Sequence, residues 1–248
     1  MITIKNARQI ELMREACKIT RDTLDHLEKF VAPGISTYEL DTIARKFIKS
    51  RGARPNFLNY EGFPGSICAS INNQVIHGIP SRKVILKEGD IISIDLGAEK
   101  NGFNGDAART FPVGKISPEA EKLIEVTKQS FFEGIKCIKH GTRLSDISNR
   151  IQEYVEEYGF SPIHDFVGHG IGKDLHEEPE VPNFGKKGHG VKLVAGMTLA
   201  IEPMINQGDY KVEILDDDWT VVTEDGKLSA HYENTVLVTK DGYEILTL

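Results

Sequence analysis

Two acidic residues stand inside apolar segments of the sequence and share the same local setting. Asp95 lies in the stretch IISIDLG, and Glu202 lies in TLAIEP, 107 residues further along the chain. A carboxylate in an apolar strand is costly unless a cation or a hydrogen-bond donor meets it. If the fold brings the two strands together, this pair therefore predicts a metal site.

Three further residues suit the same chemistry: Asp106 in GFNGDAART, His169 between two glycines in VGHGIG, and Glu233 in HYENT. The imidazole supplies a neutral nitrogen ligand. Four neighbouring carboxylates raise each other's pKa, and two divalent cations would balance their charge. Oxygen-rich ligands without a thiolate suit manganese, iron or cobalt at least as well as zinc. The alternative that needs no metal is a pairing of Asp106 with the nearby Arg109.

The interval of 107 residues recurs at positions around the two acids. The matching pairs are Gly34 and Gly141, Gly52 and Gly159, Pro55 and Pro162, and Gly89 and Gly196. This repetition predicts two similar half-units, about 1–115 and 116–248, folded face to face. Because neither half contains all five candidate ligands, residues 1–248 are expected to form a single catalytic domain.

The segment 207–228 has no counterpart in the first half and is interpreted as an insertion. Without this segment, HYENTVLV aligns with GDAARTFPV, which places Glu233 against Asp106. The acidic run from Asp216 to Asp218 within the segment is typical of a solvated hairpin tip.

The elements that must position these residues begin with amphipathic helices. The spacing of apolar residues, with glycine and proline at the ends, predicts four helices. They are expected over about 6–30, 36–51, 117–140 and 140–158. Ser36 is a helix cap, and Glu39 completes a capping box with it. Ser117 followed by Pro118 is an equally strong helix start.

Short β-branched stretches predict the strands that carry the acids. Strands are expected at 67–71 and 84–86, and then around Asp95. Asn101-Gly102 predicts a hairpin turn, after which FNGDAARTFPV returns as the next strand. Helices and antiparallel strands together indicate the α+β class.

Composition excludes several classes of function. The chain has 248 residues, a net charge of -7 and 40% hydrophobic residues, which are values of an ordinary globular protein. The net negative charge disfavours nucleic acid and anionic membranes as partners, because both bind basic surfaces. Three widely spaced cysteines suit a reducing compartment, and no segment approaches a spanning helix. The expected location is the cytoplasm.

Five motifs carry a resemblance to a known family. They are VIHGIP, IDLG with GFNGDAART, VGHGIGKDLHEEP, AIEPMI and HYENTVLV. In order and spacing they resemble the motif series of the type I methionine aminopeptidases, over essentially the whole chain. The resemblance implies the pita-bread fold, in which two pseudo-twofold halves combine antiparallel sheet with outer helices. It also implies two divalent ions (Mn, Fe, Co, Zn or Ni) held by Asp95, Asp106, His169, Glu202 and Glu233.

The resemblance assigns catalytic roles to three residues. His77, in VIHGIP, corresponds to the histidine near the scissile nitrogen, and His176 to the one that steadies the carbonyl and its oxyanion. Glu202 is expected to relay the proton as general base and acid, with a metal-bridged hydroxide as the nucleophile.

A pocket for the methionine side chain is also implied by the resemblance. Besides His77 and His176, its residues in this sequence are Tyr60, Phe63, Cys68, Leu175 and Trp219. The chain departs from the usual family pattern at Phe57, Glu61, Phe63 and Leu175, which changes the expected shape of the pocket. A backbone site for a monovalent cation is implied at Asn72, Asn73 and Ser229.

The favoured function is removal of the initiator methionine from nascent polypeptides that have a small second residue. Only 31 residues separate Glu202 from Glu233, which leaves no room for the inserted subdomain of type II enzymes. No zinc-finger extension precedes the first helix, so a minimal bacterial-style enzyme is expected, and the resemblance to the family suggests a monomer. Its partners are nascent N-termini and, transiently, the ribosome. The alternatives are a proline-specific pita-bread peptidase and a non-catalytic pita-bread protein that binds RNA or other partners.

Overall fold

The computed structural model describes residues 2–248 of the chain. The α-helices are α1 (Ala7–Glu28), α2 (Thr37–Ser50), α3 (Pro118–Ile135) and α4 (Leu144–Glu157). The capping box of Ser36 and Glu39 and the Ser117-Pro118 start of α3 are confirmed. Helix α3 ends earlier than predicted, because the Ile138 N–H donates to the Ile135 carbonyl in a tight closing turn.

The first half contains five strands, β1 (Arg54–Pro55), β2 (Cys68–Ile71), β3 (Gln74–Ile76), β4 (Ile91–Lys100) and β5 (Phe103–Pro112). The second half contains β6 (Ser161–Pro162), β7 (Gly168–Gly170), β8 (Glu177–Val181), β9 (Thr198–Ile201), β10 (Met204–Asn206), β11 (Val212–Ile214), β12 (Val221–Thr223), β13 (Ser229–His231), β14 (Asn234–Val238) and β15 (Tyr243–Ile245).

All the strand pairs are antiparallel. In the first half, β5 pairs along the whole of β4, while β1 and β2 pair with successive parts of it. The second half has a five-stranded sheet in the order β15-β14-β9-β7-β8 and a smaller sheet of β13, β10 and β6. The remaining strand of the first half, β3, pairs with β12 of the second half, and β12 pairs with β11. This three-stranded sheet therefore contains strands from both halves.

The backbone pairing repeats at the interval that the sequence shows. One strand pair and one isolated bridge occur in each half, displaced by 107 residues. They are Pro55 with Ala98 and Pro162 with Ile205, and the bridges Ser36 with Ile85 and Arg143 with Lys192. The two halves therefore have the same local architecture.

The strand register corrects the expected alignment of Asp106 with Glu233. In the first half Gly97 pairs with Asp106, and the equivalent pair of the second half is Met204 with His231. His231 is therefore the counterpart of Asp106. The alignment was wrong because it matched acid to acid, whereas backbone pairing sets the register and places Glu233 two residues further along.

Two strand predictions also differ from the structure. The segment 84–86 forms only an isolated bridge from Ile85, because its backbone pairs with the loop ahead of α2. Strand β3 was not predicted. The segment 207–228 does form a hairpin from β11 and β12, and its tip from Asp216 to Asp218 is exposed as expected.

Each half has its own hydrophobic core. Leu24, Leu40 and Ile94 belong to the core under α1 and α2. Phe131 and Leu199 belong to the core under α3 and α4. The long central strands pack against these cores. The side chains that lie between the halves therefore project from well-packed strands. Within residues 2–248, no helix is long and apolar enough to cross a membrane.

Candidate metal centre and active site

One cavity of about 130 Å³ brings the predicted site residues together. All five candidate ligands line it, as do the two histidines and the five pocket residues expected from the motifs. They are Asp95, Asp106, His169, Glu202, Glu233, His77, His176, Tyr60, Phe63, Cys68, Leu175 and Trp219. The residues expected to hold a monovalent cation, Asn72, Asn73 and Ser229, do not line this cavity.

The candidate ligands sit at two kinds of backbone position. Asp95 and Asp106 project from the continuous strands β4 and β5. Glu202 lies in the gap between β9 and β10, and Glu233 in the gap between β13 and β14. In both gaps the chain leaves regular pairing, which turns the carboxylates toward the cavity. Ligand atoms of Asp106, His169 and Glu233 all lie within 4.8 Å of one another.

The carboxyl groups of this cluster fit a divalent cation better than an arginine. The Oδ1 atoms of Asp95 and Asp106 are buried and have no hydrogen-bond partner. Arg109 donates to the backbone carbonyl oxygens of Ala108 and Glu233 instead of to either carboxylate. Oxygen ligands of this kind, with one imidazole, match hard or borderline divalent ions.

Burial changes the protonation of all four acids. It raises the pKa of Asp95 to about 7, against a smaller lowering effect of the neighbouring Glu233 and Asp106 carboxyl groups. The pKa values of Asp106 and Glu233 are raised well above normal by burial and then by repulsion from neighbouring carboxylates. Burial, followed by repulsion from Asp95, does the same for Glu202. A divalent cation would relieve this cost, because it binds the deprotonated forms.

His169 is prepared to offer a nitrogen lone pair. Burial lowers its pKa to about 3, so the ring is neutral at pH 7. Its Nδ1 atom lies 2.8 Å from the carbonyl oxygen of Gly170, which places the proton on Nδ1. The unprotonated Nε2 atom lies 3.6 Å from Oε1 of Glu202. This backbone hydrogen bond is the usual way in which a ligating histidine is oriented.

The two other predicted histidines, His77 and His176, both line the cavity. Burial, with a smaller contribution from His176, lowers the pKa of His77 to about 4. His77 also has a left-handed backbone, with φ of 59°. The ring of His176 lies 4.2 Å from that of His169, and its Nδ1 atom is 2.9 Å from the Tyr60 hydroxyl.

The apolar end of the cavity is made of aromatic and aliphatic side chains. Phe63 and Trp219 meet edge to face with ring centroids 5.1 Å apart. Leu175 and Cys68 are buried and line the same cavity, and burial raises the pKa of the Cys68 thiol well above normal. The two remaining departures from the family pattern, Phe57 and Glu61, line the same cavity.

A wider opening of about 550 Å³ meets this cavity at His77, His169, His176 and Glu202. It is lined on its outer side by Phe166, whose ring lies edge-on to His77 at 5.8 Å. The acidic residues Asp174, Glu178 and Glu180 form part of its rim. An extended chain could leave the inner cavity through this opening.

The residues expected to hold a monovalent cation lie together at the edge of β3. The Asn72 carbonyl accepts a hydrogen bond of 2.9 Å from the Ser229 N–H, and the Asn73 carbonyl accepts one from Thr223. Asn72 has φ of 56°, so its carbonyl is turned away from regular pairing.

One residue of the site was missed by the sequence reasoning. His231 is 1% exposed, and its Nε2 atom lies 3.7 Å from Oε2 of Glu202. Burial, followed by repulsion from His77 and Arg109, lowers its pKa to about 3. The signal that could have found it is its position in HYENT, once that strand is aligned by backbone pairing.

Comparison with known proteins was consistent over the full chain. A model of the metallopeptidase family M24 matches residues 11–240. A methionine aminopeptidase of Clostridium perfringens is 61% identical over 248 residues, which are 100% of this chain and 99% of that protein. The solved structure of a methionine aminopeptidase from Thermotoga maritima has a TM-score of 0.98 at 44% identity, covering 100% and 99% of the two chains. A prolidase from Pyrococcus furiosus has a TM-score of 0.80 at 23% identity, covering 99% of this chain and 65% of its own, and shows the fold alone.

Proposed function

The chain belongs to metallopeptidase family M24 and is a methionine-removing aminopeptidase with the pita-bread fold, and from this premise we propose its substrate and the roles of its residues. The proposed substrate is the N-terminus of a nascent polypeptide that begins with the initiator methionine and has a small second residue. The proposed site is the cavity described above.

The observation that carries this proposal is that one cavity joins an acid-lined end to an apolar end. Its volume of about 130 Å³ is well below the roughly 300–1,000 Å³ of common ligand pockets. A space of that size suits one apolar side chain. The first residue of a chain can therefore be enclosed while the rest leaves through the wider opening.

The members of this family use divalent metal ions, and we propose that two are held by Asp95, Asp106, His169, Glu202 and Glu233. When bound, such ions lower the pKa of water to about 7 and polarise a carbonyl group. The residues themselves supply anionic oxygens and one neutral nitrogen. Their raised and lowered pKa values follow from burial, which also excludes competing water.

The proton transfer is proposed for Glu202. Its carboxylate lies at the junction of the inner cavity and the wider opening, where the scissile bond of an enclosed first residue would fall. A carboxyl group whose pKa is raised by burial can accept a proton and return it to the leaving amine near neutral pH. His77 lines both spaces and is proposed to contact the scissile nitrogen. His176 is proposed to donate to the carbonyl oxygen.

Preference for a small second residue is proposed from the crowding at that junction. His77, Phe166 and His176 stand around the point at which the second residue would leave the inner cavity. A large side chain there would have to displace an aromatic or imidazole ring. Alanine or serine would not.

The finer assignments of cofactors and partners are part of the same proposal. The metal is one of Mn, Fe, Co, Zn or Ni, and a monovalent cation is proposed at Asn72, Asn73 and Ser229. Action in the cytoplasm and transient contact with the ribosome are proposed from the nature of the substrate. The proposed working form is a monomer.

The test is release of free methionine from Met-Ala-Ser by metal-free protein before and after addition of manganese, iron or cobalt. Metal-dependent cleavage of this peptide, with little cleavage of Met-Leu-Ser or Ala-Ala-Ser, is the expected result. Cleavage of Ala-Pro-Ser in preference to Met-Ala-Ser would support the proline-specific alternative. Folded protein that cleaves no peptide with any of these metals would contradict the proposal.

A further inference from the structure

Glu202 is contacted by a histidine on each of its two carboxylate oxygens. Oε1 lies 3.6 Å from Nε2 of His169, and Oε2 lies 3.7 Å from Nε2 of His231. His169 belongs to the proposed metal ligands. His231 has no role in the proposed reaction, although it is almost fully buried beside the carboxylate.

The environment of His231 leaves its Nε2 atom without any other partner. That atom is buried and makes no hydrogen bond. The backbone of His231 is held on both sides by Thr110, whose hydroxyl accepts from the His231 N–H and donates to its carbonyl. These two hydrogen bonds hold the backbone from which the ring projects. A buried polar nitrogen in this position is costly unless it serves the carboxylate that it faces.

The equivalent strand pairs of the two halves show which residue of the first half corresponds to His231. His231 stands where the first half has Asp106, which is a candidate metal ligand. In the second half the acid is moved two residues along, to Glu233. The site thus has an imidazole nitrogen in place of a fifth carboxylate, and this nitrogen faces Glu202, the residue proposed to carry the proton.

We propose that His231 is a positioning residue, whose Nε2–H holds Oε2 of Glu202 so that Oε1 stays beside His169. The separation of 3.7 Å is longer than a hydrogen bond, and a shift of roughly 0.8 Å would bring the pair to a normal length. Hydrogen bonds of catalytic groups are often long in the free enzyme and shorten in the working complex. The inference rests on the proposed role of Glu202.

Two amide substitutions distinguish a hydrogen bond from His231 to Glu202 from packing of the His231 side chain alone. The side-chain nitrogen of H231Q can reach the place of the imidazole Nε2, whereas the shorter amide of H231N reaches only the place of Nδ1. H231L keeps the volume and removes the donor. H164Q is the matched control, because His164 stacks between Phe184 and Tyr210 and lines neither space of the site.

The measurements are kcat and KM for Met-Ala-Ser, and the dissociation constant for manganese on metal-free protein by calorimetry. H231L and H231N are expected to lose about 10–100-fold in kcat or in metal affinity, with little change in KM, and H231Q to recover most of that loss. Values for H231L and H231N within about two-fold of the wild type would overturn the proposal. So would an H231Q variant as impaired as H231L, because packing alone would then explain the loss.

The outcomes distinguish this inference from the proposed function. If the wild type releases no methionine with any metal, the proposed function fails, and the calorimetric comparison of H231Q with H231N still decides the role of His231. If the wild type is active and the variants match it in both measurements, only the inference fails.

Discussion

The Tyr60 hydroxyl lies 2.9 Å from Nδ1 of His176, and this contact joins a side chain of the proposed methionine pocket to a proposed catalytic ring. Tyr60 begins a single 3-10 turn, Tyr60–Gly62. The residues directly before and after Tyr60 both have left-handed backbone. Those residues are Asn59, with φ of 66°, and Glu61, with φ of 49°. Such conformations cost energy outside glycine and persist only where the surroundings require them. The strained turn therefore presents the hydroxyl to His176.

Replacing this hydroxyl should affect turnover more than binding. Y60F keeps the ring that lines the pocket but removes the hydrogen bond that orients His176. We expect kcat for Met-Ala-Ser to fall about 3–10-fold, the equivalent of one hydrogen bond of ~1 kcal/mol, with KM nearly unchanged. Steady-state kinetics with saturating metal would measure this. A raised KM with unchanged kcat would mean that Tyr60 acts only as a wall of the pocket.

Removing one carboxylate should stabilise the metal-free protein while it weakens metal binding. D106N replaces a 2% exposed acid, whose pKa is raised by burial and by repulsion from Asp95, with a neutral group of the same shape. At pH 8 we expect its free energy of unfolding without metal to rise by ~1–2 kcal/mol. Urea unfolding and manganese calorimetry would measure the two effects. D216N, at the exposed hairpin tip, is the control and should change neither. A less stable D106N protein would show that the acid is satisfied without metal.

The stability of the metal-free protein should fall as pH rises above about 6.5. Burial and repulsion between carboxylates raise the pKa values of Asp106, Glu202 and Glu233 well above normal, so the folded state keeps protons that the unfolded chain has already released. Asp95, whose pKa burial raises to about 7, adds little above that pH. Below pH 6.5 the three buried histidines oppose this trend, because they gain protons on unfolding. Above it they are neutral in both states, and each retained carboxyl proton then costs up to ~1.4 kcal/mol per pH unit.

Urea midpoints at pH 6.5 and pH 8 would measure this dependence. With a chelator present, the midpoint at pH 8 should be the lower of the two. With manganese present the difference should shrink or reverse, because metal binding requires the deprotonated carboxylates. Equal midpoints in chelator would contradict the assigned burial of the acids.

The N-terminal segment is joined to the segment that follows His176 by a buried ion pair. Lys5 Nζ lies 2.6 Å from Oε2 of Glu177, the residue after His176, and the two side chains are 5% and 7% exposed. K5M should lower the free energy of unfolding by ~3–5 kcal/mol, because it leaves a buried carboxylate without its cation. The double variant K5M/E177Q should recover much of that loss. A double-mutant cycle in urea would measure it, and additive losses would show that the two residues do not interact.

The sequence predicts more of this protein than its helices. The 107-residue interval predicts two equivalent halves, and the backbone bridges from Ser36 and Arg143 bear it out. Caps and turns such as Ser36 with Glu39 are predictable because they depend on residues only a few positions apart. The apolar settings of Asp95 and Glu202 likewise point to the acid cluster, since a charge within a buried strand must have a partner.

The tertiary structure alone decides how those residues meet. His231 takes the place of Asp106 because the second pair of strands aligns Ile201 with Asn234 and Met204 with His231, and the sequence shows the residues but not this register. The contact of Tyr60 with His176 spans 116 positions, and that of Lys5 with Glu177 spans 172. Local pattern determines which elements form, because periodicity and capping act over a few residues. Contacts across such distances depend on where strands end and how the two halves pack, and these are properties of the whole folded chain.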